Sequence, residues 1–206
     1  MRWSVVLAMP VILATMLLGG CGSSRESTMS GAKCLAVLDD HDVDYQSVNG
    51  NDPNNSRCNV DTAVKVRRAG VALSKPVTMS CGLANRLDQF TREVVQPLAR
   101  SDLGERVTRI NHLGSYVCRG NTSVRGRLSE HAFGRAIDIA GFRLADGKTV
   151  SVEHDWSRPG PNRTFLHHIA RSACQYFSVV LTPDSNADHY NHFHFDIGPG
   201  KVCSAG

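Results

Sequence analysis

The chain has 206 residues, 41% of them hydrophobic, with 23 Lys and Arg against 19 Asp and Glu and a formal net charge of +4. So small a charge, without a basic run or an aromatic-interleaved patch, gives no ground for nucleic-acid binding. No internal repeat or low-complexity tract divides the sequence, and the body from Lys33 onward is long enough for one domain with its own core.

Met1-Arg2-Trp3 is a short positive start, and Val5 to Leu18 is an apolar run interrupted only by Pro10 and Thr15. At about 14 residues it is shorter than the ~20 that span a bilayer, so it reads as the apolar part of a signal peptide over residues 1–20. It closes with Leu18-Gly19-Gly20-Cys21, which resembles a bacterial lipobox. The resemblance implies cleavage before Cys21, acylation of that cysteine and a membrane anchor. An ordinary secretory signal with a coincidental cysteine is the alternative. Residues 21–32 then form a lipidated, small and polar tether, and residues 33–206 form the domain.

Seven cysteines are an awkward number for an exported chain. Removing Cys21 leaves Cys34, Cys58, Cys81, Cys118, Cys174 and Cys203, which can close three disulfides in pairings the sequence does not fix. Their spacing lacks the CxxC pairs of a thiolate zinc site. An oxidising compartment follows, and the periplasm suits both signals.

Along the body, Asn49 to Asn59 is dense in turn formers and reads as a surface loop. Leu83, Leu87, Phe90, Val94 and Val95 recur at helical spacing, predicting a helix from Cys81 to about Leu98 that ends at Pro97 and the Ser101–Gly104 stop. Ala136–Phe142 alternates as a strand with Asp138 between two alanines on one face. Asp146-Gly147 then predicts a hairpin into Val150 and Val152. A second helix is predicted over Thr164 to Phe177 with Thr164 as its N-cap; His167 and His168 on it read as surface or rim residues. Within His192–Ile197, alternation puts His192, His194 and Asp196 on one face and Phe193, Phe195 and Ile197 on the other. Together these predict an α+β fold with a small antiparallel sheet flanked by helices.

His131, Asp138 and His194 offer two imidazoles and one carboxylate. That is the ligand set of a catalytic zinc whose fourth position stays open for water, and it points to a metal-dependent hydrolase. On a helix, His131 and Asp138 would stand about 10.5 Å apart along the axis, too far for one ion. Gly134 between them suggests a loop ligand followed by a strand ligand, with His194 supplied from a neighbouring strand.

Ser129-x-His131-x-x-Gly134-x-Ala136-x-Asp138 followed by His192-x-His194 resembles the zinc peptidases that include lysostaphin-type enzymes, D-Ala-D-Ala carboxypeptidases and the hedgehog signalling domain. Within that group the chain is most similar to the bacterial extensin-like C-terminal family. The likeness runs through Tyr116-x-Cys118-Arg119, Ser129-Glu130-His131-Ala132, Gly141-Phe142, Cys174, Phe177, His189-x-x-His192-Phe193-His194 and Cys203. The family name refers to a plant wall protein, but this chain, with 8 prolines, has no Pro-rich repeat.

The resemblance implies one zinc per chain on His131, Asp138 and His194. It implies His192 as general base or oxyanion partner, with His189 orienting it, as in the murein endopeptidases. It also implies Arg119 as the holder of a substrate carboxylate, a task suited to a guanidinium fork, with Arg125, Arg127 and Arg135 as competitors. Ser129 and Glu130 are expected to support the ligand loop. One position departs: the D-Ala-D-Ala peptidases carry a glutamate base three residues before the last ligand, and here that residue is Asn191. The expected function is therefore a lipid-anchored periplasmic zinc peptidase acting on peptidoglycan. Gly22 after Cys21 favours the outer membrane. A wall-binding module that keeps the metal without turnover is the alternative, and an amidase of the wall a third.

Overall fold

The computed structural model describes Met1, residues 31–121 and residues 124–205. The signal-peptide and Cys21 expectations lie outside the described residues. The folded body opens with α1 (Gly31–Asp40), followed by β1 (Asp44–Ser47), β2 (Ala63–Ala69) and β3 (Val71–Ser80). The β2–β3 reversal turns on Gly70 at φ +70°, where a side chain would be strained and would meet Thr91. Asn49 to Asn59 lies in the loop between β1 and β2, as its turn formers predict.

Ser80 ends β3 and caps the next helix, its hydroxyl accepting from Leu83 N–H at 3.3 Å. That helical run is α2 (Cys81–Phe90), a π turn (Thr91–Val95) and α3 (Gln96–Leu103). It passes through Pro97 rather than stopping there. Proline sits in the first turn of α3, where its missing N–H costs little, and the π turn just before it widens the helix so that Gln96 N–H reaches Thr91 O. The stop comes at Gly104, left-handed at φ +67°.

Next come β4 (Val107–Gly114), β5 (Ala136–Leu144), β6 (Thr149–Ser151), α4 (Val152–Asp155), α5 (Pro161–Ala173), β7 (Val179–Leu181), β8 (Phe193–Asp196) and β9 (Val202–Cys203). The Asp146-Gly147 hairpin joins β5 to β6 as predicted, with Gly147 at φ +86°. α5 begins at Pro161, three residues before the predicted Thr164, because proline is preset for a first helical position.

The α+β class holds, but the sheet is not small. It has nine strands in the order β1-β2-β3-β4-β5-β8-β7-β9, with β6 on the side of β5. Nor is it wholly antiparallel, since β3/β4 and β7/β9 run parallel. A parallel neighbour needs a crossover, and the helical run over residues 81–103 supplies it between β3 and β4.

Ile137, Ile139, Phe193 and Phe195 join Leu83, Leu87, Phe90, Phe165 and Ile169 in one core. Phe90 stands edge-on to Phe177 and Phe195, at 5.3 and 5.8 Å between ring centres. Because alternate strand residues face opposite sides, this packing leaves Asp138 and His194 on the other face of the sheet. The six cysteines close Cys34–Cys81, Cys58–Cys118 and Cys174–Cys203, each typically worth about 2–4 kcal/mol.

Candidate metal centre

β5 and β8 pair so that Asp138 stands directly opposite His194, which puts two side chains from different strands side by side. His131 comes from the 3₁₀ turn Glu130–Phe133. Ser129 caps that turn, its hydroxyl accepting from His131 N–H, and Gly134 closes it at φ +61°. The left-handed glycine lets the chain turn back into β5, and Gly134 O accepts from Ser80 N–H at 2.8 Å. A Cβ on Gly134 would lie 2.7 Å from Val60.

Three atoms converge. His131 Nε2 and His194 Nδ1 are 3.2 Å apart, and Asp138 Oδ1 lies 3.2 Å from the first and 3.0 Å from the second. Ligand atoms of a tetrahedral zinc at ~2.0–2.2 Å stand ~3.3 Å from one another, so the triangle has nearly the size such an ion requires. Partners behind each ring decide which nitrogens hold protons. His131 Nδ1 bonds the carbonyl of Ser115 at 2.5 Å, and His194 Nε2 bonds Asp196 Oδ2 at 3.1 Å. Both outer nitrogens therefore donate, and both inner nitrogens present lone pairs beside a carboxylate oxygen. Three lone pairs at this distance repel one another unless a cation or a proton lies among them. The donor set fits a divalent metal.

The electrostatics agree. Burial alone would raise the Asp138 carboxyl, but the hydrogen bonds and charge of His131 and His194 outweigh it and hold it well below the usual carboxylate range. Burial would lower His194, but Asp138 and Asp196 overcome it and bring the imidazole up to about 9. In metal-free protein, one proton on His194 thus takes the place a cation would fill.

His192 lies in the turn just before β8, closed by His192 N–H to His189 O at 3.3 Å. It still reaches the site, with Nε2 3.6 Å from Asp138 Oδ1 and the side chain 12% exposed. Its Nδ1 bonds Asn191 Oδ1 at 2.8 Å. Burial lowers its pKa against the opposing charge of Asp138; His194, His131 and Arg119 add to the lowering. His189, at the end of the 3₁₀ turn Ala187–His189, has its ring centre 5.1 Å from that of His192 and 5.8 Å from that of His194. It is brought down to about 4 by burial first and then by the charges of His192 and His194. Its Nδ1 bonds Asn186 Oδ1.

Arg119 is exposed, on the side of the site where its charge is felt at His192. Arg125 and Arg127 are exposed on the adjoining hairpin, where Gly120 bridges Leu128. Arg135 is occupied: it lies 3.0 Å from Glu130 and stacks on Phe133. Glu130 and Ser129 support the ligand turn. Tyr116 donates to Asp52 at 2.8 Å; burial and that carboxylate push it up to about 12. His167 and His168 lie elsewhere, stacked on Trp156 and paired with Asp102 respectively.

Three participants go beyond the residues singled out from sequence: the Ser115 carbonyl, Asp196 and Asn191 as a partner of His192. A strand pattern places Asp196 on the face of His194, so its role was within reach. The other two depend on loop paths that leave no pattern.

The family described as extensin-like protein C-terminus matches residues 32–204. The chain belongs to this family. No curated protein and no solved structure matches the chain. The family match takes in every residue of the site, from the Cys58–Cys118 link to His194.

Proposed function

We propose that the chain is a zinc-dependent peptidase of peptidoglycan, related to the lysostaphin and D-Ala-D-Ala carboxypeptidase group and held in the periplasm by lipid on Cys21. The observation that carries this is the triangle of His131, Asp138 and His194, with outer partners that leave every inner atom a lone pair. A histidine-rich, carboxylate-containing set favours zinc among common divalent ions. Zinc bound there supplies Lewis-acid polarisation of a peptide carbonyl and a water acidic enough to attack near neutral pH.

The chain's own residues do the rest. His192 manages the proton on the open side, as base or as oxyanion donor. Arg119 takes a substrate carboxylate through its fork, a task for which Arg135, tied to Glu130, is poorly placed. His189 lines the same side. Asn191, an amide, cannot accept the proton.

Purified wall sacculi incubated with zinc-loaded protein should release peptide-bearing fragments, read by mass, and a chelator should stop the release. Tight binding without release from walls of several chemotypes would replace the enzyme with a binding module. For the anchor, the intact mass of membrane-extracted protein should show an acylated Cys21 and six cysteines that resist alkylation. An unmodified Cys21 or free thiols in most molecules would remove that part of the reading.

A further inference from the structure

We infer that Asn191 is a positioning residue: it holds the neutral His192 ring in the Nδ1–H tautomer and so makes Nε2 a proton acceptor instead of a hydrogen-bond donor. The inference rests on the peptidase reading and decides a point that reading leaves open.

The two ring nitrogens of His192 face different partners. Nδ1 has the Asn191 side-chain oxygen at 2.8 Å, whereas Nε2 has the nearest carboxylate oxygen, Asp138 Oδ1, at 3.6 Å. A proton on Nδ1 makes a hydrogen bond of normal length; a proton on Nε2 would reach for an acceptor beyond that range and leave two lone pairs facing across 2.8 Å. The hydrogen bond made by one nitrogen sets the state of the other. Neighbours on an extended strand would point to opposite faces. Here the turn closed by His192 N–H and His189 O brings residue 191 alongside the ring of residue 192.

Nitrogen-15 spectra of the zinc-loaded full chain, with the His192 signals identified by their loss in His192→Ala, test this directly. The wild type should show a protonated Nδ1 and an unprotonated Nε2 at pH 8. Asn191→Leu removes the acceptor and should move the ring toward the Nε2–H form. Asn191→Asp keeps an acceptor and should keep the Nδ1–H form. Zinc content checks that both variants fold. In the sacculus assay Asn191→Leu should lower kcat about 10–100-fold, as for other groups that orient a site from behind, with KM unchanged and Asn191→Asp largely restored. A wild-type ring with its proton on Nε2, or the same tautomer in wild type and Asn191→Leu, overturns the inference. A wild type with the Nδ1–H tautomer that releases nothing from sacculi upholds the positioning and sinks the peptidase reading instead.

Discussion

Alanine at His131, Asp138 or His194 should strip the metal, while alanine at His192 should leave it bound. Each of the three presents one inner atom of the triangle, and losing it leaves two protein ligands at an open site. The expected loss of affinity exceeds the roughly 10–100-fold typical of a supporting residue. His192 keeps its nearest nitrogen 3.6 Å from Asp138 Oδ1 and takes no corner of the triangle. Metal content after exhaustive dialysis separates the two classes, and stoichiometric zinc in His131→Ala with none in His192→Ala would reverse the assignment.

The same site predicts a pH dependence. In metal-free protein the folded pKa of His194 is raised from 6.5 to about 9. Its protonated form therefore stabilises the metal-free fold fully below 6.5, and that contribution fades as pH climbs through about 9. A metal must displace this proton, so affinity should climb with pH by up to about tenfold per unit and level off above about 9. Calorimetry in buffers of different ionisation enthalpy should count one proton released near neutral pH; no release would mean that His194 is already neutral.

For His192→Ala the expectation is a protein that folds, holds zinc and loses turnover by about 10²–10⁴, the range of a general acid–base group. Burial lowers His192 from 6.5 in the metal-free protein, so a limb set by this imidazole should lie below that pH in zinc-replete protein. The variant should lose that limb and keep only the fall that accompanies loss of metal. Fragment release from sacculi across pH, measured beside zinc content, decides the matter. Turnover equal to wild type in zinc-replete His192→Ala would remove His192 from the chemistry.

Where a side chain's role follows from a two-residue period, the sequence was enough to place it. Asp138 and His194 on one face, with isoleucines and phenylalanines on the other, needed only strand alternation, and the direct pairing of the two completes it. Gly134 told of a turn between His131 and Asp138 because only a left-handed residue lets the chain reverse so tightly. Legibility ended where long-range pairing began. β1 to β4 carry no spacing that says which strand neighbours which, so the expected sheet came out too small, and a parallel pair made through a helical crossover leaves no local mark. Pro97 misled for a physical reason, since a π turn can absorb a proline that would otherwise end a helix. His192 was placed on a strand but lies in a turn, and that difference is what brings Asn191 against its ring.

The arm that carries His131 is fastened at two points. Cys118 is bound to Cys58 at one end, and at the other His131 is bonded to Ser115 and set against Asp138 and His194. Backbone bonds from Val117 to His131 and from Ser129 to Arg119 cross-brace the two limbs. Length changes between Gly120 and Leu128 should therefore leave the ligand triangle unmoved. On the proposed reading, swaps of the arginines there would alter what the protein grips and leave the three ligand atoms in place. Specificity and chemistry would then be separately adjustable within some twenty residues of chain.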